Sequence, residues 1–371
     1  MTEVSASSAG SAQVTIHLAA LGRNYQTMRD RSGAAEAAAV IKADAYGLGM
    51  AKIVPKLLDE GCRTFFVALE AEGHAARAHA PDADIYVLNG LPPGAAKRFA
   101  VADLRPCLIS LEQIGDWQSF CQQNGSHPAC IFVDTGFNRL GLDAADVLAL
   151  ADNPALFEGW TPALVASHLA CADDGEHPMN RAQLEKFKFA RDLLPDAPAS
   201  LANSGGVMLG ADYCFDMTRI GISLYGGSPH ASEKTALESV VTLTAPVLQT
   251  RALGAGDSVG YGATFTAARD MTIALIGLGY GDGLPRSLGN RDTGIARVMC
   301  NNTPVPILGR MSMDTLAIDL TDLARPVEIG DTVEIFGPNN PIDALAAQAQ
   351  TLSYELLTGL GGRYNRNYED N

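Results

Sequence analysis

The chain has 371 residues, of which 47% are hydrophobic and 19% are charged. This length exceeds what one hydrophobic core usually supports, so we expect a globular protein of two domains rather than a small module or a disordered chain. The formal net charge of -15 disfavours nucleic acid and anionic membranes as partners, because both attract basic surfaces.

The seven cysteines are scattered and include no CxxC pair, which disfavours a disulfide framework and a zinc site. We therefore expect reduced thiols and no metal. The first dozen residues have neither a basic start nor an apolar run, so no signal peptide is predicted, and no apolar run reaches membrane-spanning length. The expected location is the cytoplasm.

The first two thirds of the chain alternate short apolar runs, rich in β-branched residues, with amphipathic segments. The runs are AAAVIKADA at 37, TFFVALE at 64, DIYVLNG at 84, LRPCLIS at 104, ACIFVDTG at 129, ALVASHLA at 163, ASLANSG at 199 and TRIGISLYG at 218. Segments such as LEQIGDWQSFCQQN, between the fourth and fifth runs, repeat apolar residues at helical spacing. Eight such units predict a TIM-type (β/α)8 barrel, assigned to residues 13–240, in an α/β protein.

After Ser239 the pattern changes to short strands separated by Gly, Asp, Asn and Pro. The strands are VVTLTAPVLQT, MTIALIGLG, IARVMC, TPVPILG, TLAIDL and DTVEIFG, followed by the helical segments NPIDALAAQAQ and SYELLTGL. We expect a mainly-β C-terminal domain over residues 241–371. The segment AQVTIHL at 12 also predicts a strand that could join this sheet. Residues 1–12 or so could likewise add a strand to it.

Polar side chains stand at the ends of the predicted barrel strands, where enzymes of this fold carry their active sites. They are Lys42, Asp134, Arg139, His168, Ser204 and Arg219. Phosphate usually binds at the loops after strands seven and eight of such a barrel. Here those loops read ANSGG and IGISLYGG, whose small residues allow close backbone approach.

Lys42 ends an apolar strand, so burial is expected to lower the pKa of its amine and free it for Schiff-base formation. A lysine that extends along the barrel rim toward water explains the same position equally simply. Composition and periodicity thus predict a lysine-bearing barrel enzyme and leave a Schiff-base aldolase open.

The segment VIKADAYGLG around Lys42 resembles the cofactor-lysine motif of alanine racemases, and nine further motifs resemble that family in its order. They are FVDTGFNRLG, VASHLACAD, LANSGG, TRIGISLYGGSP, VGYGATF, GYGDGLPR, GRMSMDT, SYELL and RYNRNY. This resemblance implies a pyridoxal 5'-phosphate (PLP) enzyme of fold type III that interconverts L- and D-alanine. It also implies a two-base mechanism through an external aldimine.

The resemblance implies that Lys42 binds PLP and acts as the base on one face of the substrate, while Tyr261 is the base on the other face. Tyr261 and Met313 would act in the partner's site of a head-to-tail homodimer. Residues that match the family's cofactor contacts are Lys42, Tyr46, His168, Ser204, Arg219, Gly221, Ile222 and Tyr354. Arg219 would hold the pyridine nitrogen without protonating it, and His168 would connect Arg219 to Tyr261.

The same resemblance implies that Arg139 and Met313, with Asp314 beside it, bind the substrate carboxylate. An access corridor would be lined by Asp173, Tyr280, Arg286 and Arg310. Three positions depart from the family. Phe132 stands where many members carry a lysine, often carbamylated, that supports the arginine equivalent to Arg139, and Phe137 and Asn138 stand where methionine and either glycine or histidine are common. We therefore expect no carbamate, and Arg139 must be held by a bound anion, a side chain from another strand or packing against Phe132.

These expectations define an alanine racemase that supplies D-alanine for peptidoglycan or serves alanine catabolism. Other PLP enzymes of this fold remain alternatives, namely a broad-specificity racemase or a basic amino-acid decarboxylase. The decarboxylase is disfavoured because it would place an acid where Arg219 stands. A non-catalytic PLP carrier is disfavoured because such proteins lack the second domain that carries VGYGATF and GRMSMDT.

Overall fold

The computed structural model describes residues 11–230, 237–289 and 296–370, and within them the chain forms two compact units. The barrel unit is built mainly from Leu21–Leu224. The β unit is built from the chain after Glu238 together with the segment that precedes Leu21. Residues 1–10, considered above as a source of an extra strand, lie outside the described residues.

Strand β1 (Gln13–His17) is followed by helix α1 (Leu18–Ser32) and then by the strands of the barrel unit. These are β2 (Glu36–Val40), β3 (Thr64–Val67), β4 (Asp84–Val87), β5 (Arg105–Leu108), β6 (Ala129–Phe132), β7 (Pro162–Ala166), β8 (Ala199–Ser200) and β9 (Met217–Ile220). Each overlaps one of the eight predicted runs. They pair in parallel from β2 to β8, β9 pairs with β2, and a bridge between Asn203 and Arg219 joins the two ends. The predicted eight-stranded α/β barrel is confirmed.

Helices separate these strands, as a parallel sheet requires. They are α2 (Lys42–Tyr46), α3 (Met50–Asp59), α4 (Glu70–His79), α5 (Ala96–Val101), α6 (Leu111–Asn124), α7 (Ala144–Ala151), α8 (Pro178–Leu193), α9 (Ser204–Met208) and α10 (Ala211–Cys214), with 3₁₀ turns at Pro154–Phe157 and Ile222–Tyr225. Strands β3 and β6 are buried at every position, because side chains inside the barrel and beneath the helices are both excluded from water.

The β unit contains an eight-stranded sheet and a small hairpin. Its strands are β10 (Val241–Leu253), β11 (Ser258–Val259), β12 (Phe265–Thr266), β13 (Met271–Ile276), β14 (Arg297–Cys300), β15 (Thr303–Leu308), β16 (Leu316–Asp319), β17 (Thr332–Phe336) and β18 (Asn365–Glu369). The mainly-β character of this part of the chain is confirmed. The hairpin β11–β12 and the last strand, β18, have no counterpart among the predicted strands.

The long strand β10 organises this sheet. Its first half pairs with β1 and β17, and after an irregularity between Val247 and Gln249 its second half pairs with β13. Strand β1 also pairs in parallel with β18. By this pairing β1 belongs to the β unit, although the predicted barrel segment began at residue 13.

Two helices, α11 (Ile342–Gln348) and α12 (Ser353–Thr358), lie in the β unit where the sequence predicts helical segments. Short 3₁₀ turns occur at Tyr261–Ala263, Tyr280–Asp282 and Arg286–Gly289. In the described part of the chain, no helix is long and apolar enough to cross a membrane. All seven cysteines are free thiols, and six of them are buried.

Candidate active site

The carboxyl ends of the barrel strands carry the polar residues that the sequence singled out. Lys42 directly follows β2, Arg139 lies in the loop after β6, His168 follows β7, and Arg219 lies within β9. Lys42, Arg139 and Arg219 all act electrostatically on His168, so the four groups form one cluster. The barrel therefore brings together residues up to 177 positions apart in the chain, since Lys42 and Arg219 belong to adjacent strand ends.

Arg219 is 3% exposed and binds oxygen atoms from two neighbouring strand ends. Its Nη1 donates to the Ser200 carbonyl at 2.9 Å and to Ser200 Oγ at 2.6 Å. Its Nη2 donates to the carbonyls of Ser167 and Leu201. No carboxylate of the described residues pairs with this guanidinium, so its charge is balanced by backbone and hydroxyl dipoles.

Burial lowers the pKa of Arg219 to about 10, and because this value is far above neutral pH the side chain stays charged. Both terminal nitrogens are occupied by protein acceptors, whereas Nε has no hydrogen-bond partner among the described residues. One N–H of a permanent cation is thus left for an acceptor that the protein does not supply.

His168 is an imidazole next to the cations of this cluster. Its Nδ1 lies 3.3 Å from Arg219 Nη2, and its Nε2 lies 3.5 Å from Asn203 Nδ2. Burial, followed by the charges of Arg219, Arg139 and Lys42, holds the pKa of His168 well below its usual range. The ring is therefore neutral near pH 7. Since Arg219 can only donate, Nδ1 is the acceptor in this contact.

Lys42 is a partly buried amine among cations. Burial lowers its pKa, the charges of Arg139 and Arg219 lower it further, and the Glu72 carboxylate opposes them. An amine with a lowered pKa has a larger neutral fraction at physiological pH, and the neutral form is the nucleophile in Schiff-base formation. The predicted effect of burial on Lys42 agrees in direction with the structure.

The turn that follows Lys42 is left-handed. Ala43, Asp44, Ala45 and Tyr46 have φ values of 54°, 52°, 54° and 57°, and the N–H of Gly47 donates to the Ala43 carbonyl at 2.7 Å. For residues other than glycine this conformation costs about 1–2 kcal/mol each. The surrounding structure must supply this energy, and the short turn directs the chain from the lysine back into the buried position of Tyr46.

Arg139 lies in a loop that wraps around one carboxylate. Asp134 accepts hydrogen bonds from the backbone N–H groups of Gly136, Asn138 and Arg139 at 2.8, 3.1 and 3.0 Å. The guanidinium of Arg139 stacks on the Phe137 ring, 4.1 Å from its centroid. It forms no ion pair or side-chain hydrogen bond with the described residues, so it is a cation available to an anionic ligand.

Phe137 also packs against His168, with ring centroids 5.7 Å apart. The aromatic ring thus lies between the cationic loop and the neutral histidine. Phe132, at the position of the family's lysine, is 7% exposed and carries no amine for a carbamate. The support that the structure shows for Arg139 is Phe137, a neighbour in the same loop that was not among the supports considered from the sequence.

Small residues and hydroxyls line the barrel end after β8 and β9. A Cβ atom at Gly221 would lie 2.5 Å from the Tyr46 hydroxyl, so a larger residue there would displace the tyrosine. The Gly221 N–H donates to Ser204 Oγ at 2.9 Å, and Ile222 begins a 3₁₀ turn next to it. These four residues, predicted to contact one phosphate, are brought together by the fold.

In the β unit, Tyr261 lies on the loop between β11 and β12, and its side chain is 67% exposed. The preceding Gly260 has φ +78°, and a Cβ atom there would lie 2.8 Å from the Arg310 carbonyl oxygen. The tyrosine loop and the Arg310 backbone therefore touch, which places two of the predicted residues side by side.

Two further predicted residues lie in adjoining loops of the β unit. The N–H of Tyr280 donates to the Ser312 carbonyl at 3.2 Å, and the N–H of Gly281 donates to the Met313 carbonyl at 2.8 Å. Arg363 joins these loops by ion pairs with Asp282 at 3.2 Å and Asp314 at 2.8 Å. Met313 is 53% exposed, although its carbonyl is held by the hydrogen bond from Gly281.

Three further predicted residues each lie in a different element. Asp173 is exposed in the loop after β7 of the barrel unit, Arg286 is exposed at the start of a 3₁₀ turn in the β unit, and Tyr354 is 41% exposed in α12. Their roles in a corridor or at a phosphate stay predictions.

Sequence reasoning missed Glu72, which accepts from the Ala43 N–H at 2.7 Å. Its only signal in the sequence is its position as an acidic residue in the first turn of a helix. Phe137 was noticed as a departure from the family but not as the support of Arg139. Asn203 was also missed, although an asparagine before SGG is a recognisable helix N-cap, and its Oδ1 accepts from Gly206 N–H at 2.9 Å.

The left-handed turn after Lys42 predicts that Ala43→Gly stabilises the protein by about 0.5–1 kcal/mol, because glycine adopts positive φ without steric cost. Ala75→Gly is the matched control, since Ala75 is exposed in the right-handed helix α4 and should lose about 1 kcal/mol. Urea unfolding of both variants measures the two changes. A loss of stability in Ala43→Gly would contradict the turn geometry.

The neutral state of His168 predicts how stability depends on pH. Its pKa is lowered on folding, so below the usual value of about 6.5 the unfolded chain binds a proton that the native protein does not. Stability should therefore fall as the pH drops from about 7 to 5, and His168→Asn should flatten this dependence. Unfolding free energies measured across this range test the sign, with the exposed His177→Asn as control.

Comparison with known proteins agrees with this geometry. The family model "Alanine racemase, N-terminal domain" matches residues 16–229, and "Alanine racemase, C-terminal domain" matches residues 240–368. Two curated relatives come from Agrobacterium fabrum. A protein named "Alanine racemase, biosynthetic" is 43% identical, covering 96% of this chain and 93% of the relative. One named "Alanine racemase, catabolic" is 42% identical, covering 98% and 93%.

Among solved structures, the alanine racemase from Bartonella henselae with covalently bound pyridoxal phosphate has a TM-score of 0.92 and 42% sequence identity. The alignment covers 97% of this chain and 99% of that chain. Both family models and full-length relatives well above 30% identity therefore agree with the two-unit architecture. The chain belongs to the alanine racemase family.

Proposed function

We propose that this chain interconverts L- and D-alanine with PLP held on Lys42. The observation that carries the proposal is the cluster at the barrel's carboxyl end. It combines an amine of lowered pKa at Lys42 with a buried arginine, Arg219, that has one unpartnered N–H. The Bartonella henselae relative, which binds pyridoxal phosphate covalently, supports the same cofactor here.

The residues of the cluster fit PLP group by group. Lys42 provides an amine for its aldehyde, and the free Nε–H of Arg219 suits its ring nitrogen. Tyr46, Ser204 and Gly221, which the fold brings together, are assigned to its phosphate, with Ile222 and Tyr354 as further contacts. When bound, PLP withdraws electrons from the α-carbon of an attached amino acid and so makes its hydrogen acidic.

Arg219 limits this electron withdrawal. With a pKa of about 10 it keeps its proton at neutral pH, so it can donate a hydrogen bond to a ring nitrogen but does not transfer the proton. A pyridine that stays unprotonated is a weaker electron sink than one paired with an acid. This favours reversible proton removal over loss of carboxylate, and it disfavours the decarboxylase alternative.

Inversion at the α-carbon requires bases on opposite faces, and we assign them to Lys42 and Tyr261. The free amine of Lys42 accepts the proton on its own face. Tyr261 acts on the other face, and His168, whose Nδ1 lies 3.3 Å from Arg219 Nη2, is assigned to connect it to Arg219. Arg139, stacked on Phe137 and without an ionic partner among the described residues, binds the substrate carboxylate. Met313 adds a contact from the partner.

We infer that the enzyme works as a head-to-tail homodimer in which Tyr261 and Met313 complete the partner's site. Their side chains are 67% and 53% exposed in the isolated chain, and Tyr280 and Tyr354 add further exposed aromatic surface to the same unit. Large apolar side chains gathered in exposed loops usually mark a contact surface. Asp173, Arg286 and Arg310 would line the access corridor together with Tyr280.

The shared site predicts complementation between two inactive variants. Lys42→Ala and Tyr261→Phe chains carrying different tags are co-expressed, and the heterodimer is isolated through both tags. It contains one native site and one doubly altered site, so it should convert L-alanine to D-alanine at about half the wild-type rate. The matched control is a heterodimer of wild type with the double variant, in which neither site is native. Activity in this control but not in the complementing pair would show that each site belongs to one chain.

Seven free cysteines suit a reducing compartment, which supports a cytoplasmic location. Both biosynthetic and catabolic relatives are similar to this chain, so D-alanine supply for peptidoglycan and alanine breakdown are both consistent with its chemistry.

A further inference from the structure

The lysine-bearing turn is joined to a neighbouring helix by a single carboxylate. Glu72, in the first turn of α4, is half-buried, and its Oε1 accepts from the Ala43 N–H at 2.7 Å. Ala43 is the residue directly after Lys42 and the first of the left-handed turn. The hydrogen bond therefore acts one peptide away from the reactive lysine.

The second oxygen of Glu72 serves a different segment. Its Oε2 accepts from the N–H groups of Ala68 at 2.8 Å and Leu69 at 3.1 Å, at the point where the chain passes from β3 into α4. One carboxylate thus binds three backbone N–H groups from two βα loops of the barrel. Hydrogen bonds to an ionised acceptor are about twice as strong as neutral ones, which suits a group that has to hold a strained turn.

The charge of Glu72 has its own effect at Lys42. Arg139 and Arg219 both lower the pKa of the amine, whereas Glu72 raises it. Its negative charge limits how far burial and the two arginines lower the pKa of the amine. The same Glu72 side chain therefore holds the turn after Lys42 and supplies the negative charge that acts on its amine.

We propose that Glu72 is a positioning residue of this enzyme, which fixes the left-handed turn behind Lys42 and brings a carboxylate to the turn that carries the reactive amine. This inference rests on the proposed role of Lys42 as the residue that holds the cofactor. It gives helix α4, which follows β3, a part in the active site.

Three substitutions separate the two roles. Glu72→Gln keeps one acceptor oxygen but removes the charge, Glu72→Asp keeps the charge but shortens the reach to Ala43, and Glu72→Ala removes both. Glu70→Gln is the matched control, because Glu70 lies in the same helical turn but binds Arg98 at 2.8 Å instead of the lysine turn. Glu70→Gln removes a carboxylate from the same first turn of the helix but leaves the hydrogen bond to Ala43 in place.

The first readout is the pKa of Lys42 in the cofactor-free full-length chain. It is measured from the pH dependence of labelling by trinitrobenzenesulfonate, followed at the Lys42 peptide by mass spectrometry. We expect Glu72→Gln and Glu72→Ala to lower this pKa by about one unit, with Glu72→Asp and Glu70→Gln close to wild type. The second readout is the rate at which PLP leaves the holoenzyme, which we expect to rise about tenfold in Glu72→Asp and Glu72→Ala.

An unchanged Lys42 labelling profile in Glu72→Gln, together with an unchanged PLP release rate in Glu72→Asp, would overturn the proposal. Because each of these variants keeps part of the interaction, the test stands even if Glu72→Ala does not fold. Wild-type protein that takes up no PLP at Lys42 would contradict the proposed function instead, and the labelling profiles would still report on Glu72.

Discussion

The buried guanidinium of Arg219 is the constraint around which the barrel's carboxyl end is arranged. A charge this deeply buried is costly unless its donors find acceptors, and here the two terminal nitrogens donate to carbonyls and a hydroxyl at Ser167, Ser200 and Leu201. These oxygens lie at the ends of β7 and β8, so the arginine joins them to its own strand β9. These partners are neutral dipoles, so they stabilise the guanidinium without neutralising its charge as a carboxylate would.

The positive charge of Arg219 then acts on the protonation of its neighbours. It lowers the pKa of both His168 and Lys42, so the imidazole is neutral and the amine is more readily deprotonated. A chain with a net charge of -15 thereby maintains a local cationic site, with Arg139 as a further positive group. Such a site can attract a carboxylate substrate and a phosphorylated cofactor while the rest of the surface remains acidic.

Periodicity was sufficient to predict the architecture. All eight barrel strands overlap the apolar runs, and LEQIGDWQSFCQQN coincides with α6, because parallel strands and their helices have distinct hydrophobic periods. The two-residue strands β11 and β12 were missed because so short a hairpin has no measurable period. The left-handed turn after Lys42 was missed because alanines carry no sequence signal for positive φ. Glu72 could not be predicted, because its contact with Ala43 depends on how two βα loops meet in space. The cofactor and the residue roles came from the family motifs and not from the pattern.

The most direct test of this account is chiral chromatography of the purified protein with PLP and, separately, L-alanine, L-serine, L-lysine and L-glutamate. The account predicts D-alanine as the dominant product, with far less of any other D-amino acid. A bound cofactor without any D-amino acid product would contradict it and would favour another chemistry on the same lysine.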